Sequence, residues 1–238
     1  MKFLTGLFLS LMLAIPSLHA EILVQDGAKV AFLGDSITAA GWGNPNGYVR
    51  LIVSGLAANG IKVEPIPAGI GGHKSNQMLE RLDRDVLSKK PDWMTLSCGV
   101  NDVWHHEKGV PLPEYKENIT KLVEQATAAG VKVMILTATV IQEDLGNADN
   151  ATLAGYNDFL RELAKEKKLP LADLNTLFQE RIKAENKPGQ KVLTGDGVHM
   201  NNEGDQLMAI GVLQAFGLNE AELAKAQDAW KSSRAETK

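Results

Sequence analysis

Short apolar runs alternate with longer amphipathic stretches along most of the chain. Val30–Leu33 is an uninterrupted apolar run, Val131–Thr137 is strongly apolar, and Pro91–Ser97 and the short Leu169–Ala172 are further strand candidates. Runs of that length bounded by turn residues predict buried strands, with Ile61–Ile66 as a further candidate. Between them, helical periodicity covers Tyr48–Ala58, Ser75–Ser88, Pro113–Ala129, Ala151–Lys168, Leu174–Asn186 and Glu203–Phe216. Glu220–Lys231 predicts a peripheral helix. Asn59-Gly60 and Gly130 stop two of these helices. Strands alternating with helices of ten or more residues predict βαβ units and a parallel sheet covered on both faces. About five strands fit, so the expected fold is α/β, a three-layer α/β/α sandwich of flavodoxin-like type.

The first twenty residues break this pattern. Lys2 is followed by the apolar run Phe3–Ile15, and then by Pro16-Ser17-Leu18-His19-Ala20. That order reads as a secretory signal peptide, residues 1–20, too short for a comfortable membrane span. It leaves residues 21–238 as a single domain, exported to the periplasm or the medium. With no cysteine near the cut, no lipid anchor is expected after cleavage. Cys98 is the only cysteine, so no intramolecular disulfide can form. With 25 Lys and Arg against 29 Asp and Glu, the formal net charge is −4. A nucleic-acid binder would need a basic face, so that class is not expected.

The chemistry-bearing residues cluster where strands end. Gly34 breaks the first strand, and Asp35 and Ser36 follow where the chain opens into a helix. In a parallel α/β sheet that carboxyl edge is where ligands bind. A hydroxyl held there is a candidate nucleophile, although Asp35 or Ser36 can equally serve as a helix cap. Three further segments fall at loops of the same edge: Gly71-Gly72, Gly99-Val100-Asn101-Asp102 and Asp196-Gly197-Val198-His199. An acyl-transfer site needs a nucleophile, a base, an orienter for the base and donors for the oxyanion. Ser36, His199, Asp196 and the set of Asn101 with the Gly72 and Ser36 amides fill those roles. Taken singly, Asp-x-x-His is also a surface turn or part of a metal site, and Gly-x-Asn-Asp an ordinary turn. His73, His105 and His106 lack the cysteine or carboxylate pattern of a zinc centre, so no metal and no cofactor is expected. Asp35, Trp42, Tyr48 and Trp104 flank the site in sequence and are candidates for substrate contact, the aromatics equally for half-buried core.

Together these motifs resemble the SGNH, or GDSL-type, hydrolase superfamily from Val30 to about Phe216. They run in order as GDSIT at Gly34–Thr38, GIGGHKS at Gly69–Ser75, GVND at Gly99–Asp102 and DGVH at Asp196–His199. The resemblance implies a Ser36–His199–Asp196 triad with Ser36, Gly72 and Asn101 around the oxyanion. Gly47-Tyr48-Val49, Lys90-Pro91-Asp92-Trp93 and Val103-Trp104 are similar to bacterial acetylxylan esterases and related carbohydrate acetylesterases. That likeness implies an exported serine esterase for small acyl groups on a small-molecule or oligosaccharide ester. Lipolytic esterases, thioesterases and lysophospholipases carry the same motifs, and a non-catalytic carbohydrate-binding relative is the alternative outside enzymes. Pro67-Ala68 and His73-Lys74 depart from the superfamily pattern on either side of the glycine loop, which bears on that loop's shape.

Overall fold

The apolar run at Val30–Leu33 becomes the middle of β1 (Lys29–Gly34), with all four side chains fully buried. The computed structural model describes residues 22–185, 187 and 189–236, and side chains as far as residue 232. The segment read as a signal peptide lies outside the described residues. After β1 come α1 (Ser36–Gly43), α2 (Tyr48–Ala58), β2 (Glu64–Gly69), α3 (Ser75–Glu80) and α4 (Leu82–Asp85). β3 (Trp93–Ser97) precedes the short α5 (Val100–Trp104), then α6 (Leu112–Ala128) and β4 (Lys132–Leu136). α7 (Ala148–Lys167), β5 (Leu171–Ala172), α8 (Leu174–Glu185), α9 (Asn202–Ala215) and α10 (Glu220–Glu236) follow.

The five strands form one parallel sheet in the order β2-β1-β3-β4-β5, flanked by helices as the alternation predicts. One helical group packs α2 against α1, α9 and α10, with α8 on α9; the other packs α6 between α3 and α7. Burial on both sides explains why β1, β3 and β4 lack strict apolar–polar alternation, with Thr95 and Ser97 of β3 buried beside its apolar residues. Phe32, Phe178 and Phe216 are fully buried, and each such side chain stabilises the fold by about 1.5–3 kcal/mol. The strand order reverses direction between β1 and β3. Their carboxyl ends therefore open a crevice at the switch point, where this class of sheet binds ligands.

Three local differences from the sequence reading have physical causes. β2 begins at Glu64 rather than Ile61 and runs through Pro65 and Pro67. The amides of Glu64 and Ile70 donate to the carbonyls of Ala28 and Gly34, at either end of β1, so even-numbered amides face the sheet. The prolines take odd-numbered positions on an edge strand and lack only outward-facing donors. The expected helix over Ser75–Ser88 instead breaks at Arg81, whose side chain turns inward to bind carbonyls at two strand ends. α7 starts three residues early because the Asn147 side chain caps it, accepting from the Asn150 amide at 2.7 Å.

Candidate active site

The turn from β1 into α1 presents Ser36. At Gly34 a Cβ would fall inside contact distance of the Thr38 hydroxyl, so only glycine lets the strand meet the helix this closely. Asp35 caps α1, its Oδ1 accepting from the Ile37 amide at 2.9 Å. Ser36 is then the first helical residue, with its amide among those an α-helix leaves unpaired at its start.

Residues 194–200 come to Ser36 from the far end of the sequence. An isolated antiparallel bridge pairs Thr194 with Met200, and the Gly195 amide donates to the His199 carbonyl at 2.9 Å. Asp196 Oδ1 accepts the amides of Val198 and His199 at 2.9 and 2.8 Å, which leaves Oδ2 facing the ring. His199 Nδ1 lies 2.6 Å from Asp196 Oδ2, and His199 Nε2 lies 2.9 Å from Ser36 Oγ. Hydroxyl, imidazole and carboxylate thus touch in series. Partial burial pushes the Asp196 carboxyl up, but its bonds from the His199 ring and from the two amides outweigh that and hold it at about 2. An ionised Oδ2 fixes the proton on Nδ1, leaving Nε2 free to accept a proton from the serine hydroxyl.

Two other strand ends bring the glycine loop and Asn101 to this edge. The glycine loop after β2 runs beside the serine at Gly71, where a Cβ would stand 3.9 Å from the Ser36 Cβ, and Gly72 follows it in left-handed backbone with φ 73°. Asn101, buried in α5, extends Nδ2 toward Asp35 Oδ2 at 3.3 Å and the His73 carbonyl at 3.2 Å. Burial raises the Asp35 carboxyl to about 6; the Ile37 amide opposes that rise and the nearby Asp102 charge adds to it. Because the folded value is the higher, ionising Asp35 disfavours the fold, and this contribution weakens stability as pH rises from about 4 to 6. Asp102 is itself buried and accepts the Ser75 amide at 2.9 Å, fixing the start of α3 against α5.

Arg81 was not singled out in the sequence, yet it holds this edge together. It is 3% exposed and donates at 2.8 Å to the carbonyls of both Gly34 and Ala68, at the ends of β1 and β2. Its Nε donates to His73 Nδ1 at 3.2 Å, and burial together with the guanidinium charge lowers the His73 pKa. The only signal for it in sequence was an arginine three residues after Met78 on an apolar helical stripe.

Residues 32–207 match the GDSL-like Lipase/Acylhydrolase family. The chain belongs to that family. An acetylxylan esterase from Geobacillus stearothermophilus is 28% identical over 215 residues, 82% of this chain and 96% of its own. An isoamyl acetate-hydrolyzing esterase from Saccharomyces cerevisiae is 25% identical over 200 residues, 76% of this chain and 82% of its own. The crystal structure of an acetyl xylan esterase, AlAXEase, superposes with a TM-score of 0.73 at 34% identity, covering 79% of this chain and 98% of that one. The chain is thus a GDSL-family esterase related to acetylxylan esterases.

Within this GDSL-family site, several residues expected at the substrate rim lie elsewhere. Tyr48 is fully buried, its hydroxyl 2.8 Å from the Thr38 hydroxyl, and so is core rather than rim. Asp35, 3% exposed, faces the Ile37 amide and Asn101 and offers no surface to a substrate. Trp42 is half-buried, with the Arg50 guanidinium 3.6 Å above its ring, so one ring face is already covered. Trp104 is half-buried in α5, three residues from Asn101, and its ring lies 6.4 Å from that of His105. His106 pairs with Asp149 at 3.7 Å. Among the described residues no three His, Cys, Asp or Glu side chains gather as a metal-binding group, and no helix is long and apolar enough to cross a membrane.

Proposed function

We propose that the protein is an exported serine esterase that removes small acyl groups, acetyl above all, from carbohydrates. The contact series Ser36–His199–Asp196, at 2.9 and 2.6 Å, carries this reading. Ser36 Oγ attacks the ester carbonyl as Nε2 of His199 takes its proton, and Asp196 stabilises the resulting imidazolium. The oxyanion of the tetrahedral intermediate accepts the amides of Ser36 and Gly72 and one hydrogen of Asn101 Nδ2. Both present bonds of that nitrogen, at 3.2 and 3.3 Å, exceed the optimum of about 2.9 Å, so one is readily exchanged for a charged acceptor. His199 then protonates the departing sugar hydroxyl. Water, deprotonated in turn by His199, hydrolyses the acyl-enzyme and frees Ser36.

Relatedness to acetylxylan esterases supports acetyl as the acyl group and a xylo-oligosaccharide as the alcohol. The N-terminal lysine and apolar run support export toward such a polymer. Acetate release from acetylated xylo-oligosaccharides, compared with hydrolysis of a p-nitrophenyl ester series from acetate to palmitate, tests the assignment. Rapid acetate release with rates falling as the acyl chain lengthens is expected. A preference for long chains overturns the carbohydrate reading. Asn101→Ala should lower kcat by roughly 10²- to 10³-fold with little change in KM, because its amide acts on charge that exists only in the transition state. Equal losses in ground-state binding, seen as a raised KM with unchanged kcat, would remove Asn101 from the oxyanion site.

A further inference from the structure

The segment bearing Asp196 and His199 contains no helix or strand, only the bridge between Thr194 and Met200. Such a loop keeps a fixed geometry only if other groups hold its backbone. The holding group here is a carboxylate from a distant loop. Glu143 lies between β4 and α7 and is 9% exposed. Its Oε2 accepts the Val192 amide at 2.6 Å. Its Oε1 accepts the Leu193 amide at 3.0 Å, and the Thr194 amide and hydroxyl at 2.5 Å each. Three consecutive amides and a hydroxyl thus converge on one side chain, filling the acceptor capacity of a carboxylate.

The hold extends to the reacting groups. Thr194 Oγ1, while donating to Glu143, accepts the Gly197 amide at 3.0 Å, one residue beyond Asp196. The Gln142 amide donates to the Gly197 carbonyl at 2.7 Å. Gly197 has φ 106°, and a Cβ there would press on the Gln142 side chain. Gln142 and Glu143 both hold left-handed backbone, φ 65° and 55°, a conformation that residues other than glycine keep only where their surroundings enforce it.

We propose that Glu143 is a positioning residue: through Thr194 its carboxylate sets the approach of Asp196 and His199 to Ser36. This rests on the assignment of those three as the reacting groups. A displacement of about 1 Å at such a site costs on the order of 10²-fold in rate. Glu143→Ala removes every acceptor, whereas Glu143→Gln retains a carbonyl oxygen for the Thr194 side of the clamp. Both variants, Ser36→Ala and the wild type are compared on p-nitrophenyl acetate at a temperature where circular dichroism shows them folded.

Glu143→Ala should lower kcat by roughly 10- to 100-fold with KM within about 3-fold of wild type, and Glu143→Gln should recover part of the loss. The downfield proton resonance expected of the 2.6 Å bond at His199 Nδ1 should broaden or vanish in Glu143→Ala. A folded Glu143→Ala with wild-type kcat overturns the proposal, whatever its thermal midpoint. If that variant does not fold, Glu143→Gln decides: a kcat loss of at least about 3-fold with unchanged KM supports the clamp, and wild-type kcat overturns it. No esterase activity in the wild type defeats the esterase reading instead, and full activity in Ser36→Ala removes Ser36 from the reacting groups. The His199 resonance then tests the clamp alone, an unchanged signal in the variant overturning it.

Discussion

Ser36→Ala is expected to lower kcat for ester hydrolysis by roughly 10⁴- to 10⁶-fold, since groups acting as one unit lose nearly all their effect when the nucleophile goes. The substitution removes only Oγ, which lies 2.9 Å from His199 Nε2. Asp35 still caps α1 through the Ile37 amide, so the helix start is intact. Surface-accessible serine-to-alanine changes away from caps typically shift stability by about 0.5 kcal/mol or less, and thermal melting should move little. The remaining rate comes from the oxyanion donors and from substrate binding. Steady-state kinetics with p-nitrophenyl acetate measure the loss, and a serine-directed organophosphate should label the wild type but not the variant. Retained turnover with retained labelling would place the nucleophile elsewhere and defeat the proposed mechanism.

The parts of this site that sequence revealed are those whose chemistry is local. Gly34-Asp35-Ser36 advertises a strand end followed by a helix cap, and Asp196 with His199 three residues later advertises a carboxylate able to reach its neighbour's ring. The sheet was legible because β1, β3 and β4 are buried on both faces and so are dominated by apolar residues, Thr95 and Ser97 of β3 being buried among them. What was not legible depends on contacts distant in sequence. Arg81 reads as the polar side of a helix until its guanidinium is seen on carbonyls 13 and 47 residues away. Glu143, in a polar segment without periodicity, reads as solvated loop; its donors lie 49 to 51 residues further along. Tyr48 misled in the opposite sense. Its nearness in sequence to the serine suggested a rim, whereas the direction of α2 carries it into the core beside Thr38.

Asp196→Asn should cut kcat by roughly 10⁴-fold while leaving the loop folded, and the hydrogen bonds around this side chain say why. Oδ1 accepts two backbone amides, from Val198 and His199, and those donors will hold the carbonyl oxygen of an asparagine in the same place. The amide nitrogen must then face His199 Nδ1. That nitrogen only donates, so Nδ1 has to become the unprotonated acceptor and the ring proton moves to Nε2. A protonated Nε2 donates to Ser36 Oγ and cannot take its proton, which removes the base without moving an atom far. In the wild type the carboxylate is held at about 2, below its ordinary value, so its pairing with His199 is complete above pH 4 and is lost only as pH falls through 2. Asp196 therefore does not set the acid limb of the rate profile. Rates from pH 4 to 9 in both proteins check this: the variant should be slow throughout, with KM close to wild type. A variant that matches the wild type near pH 7 would show that the carboxylate neither orients His199 nor stabilises its charged form.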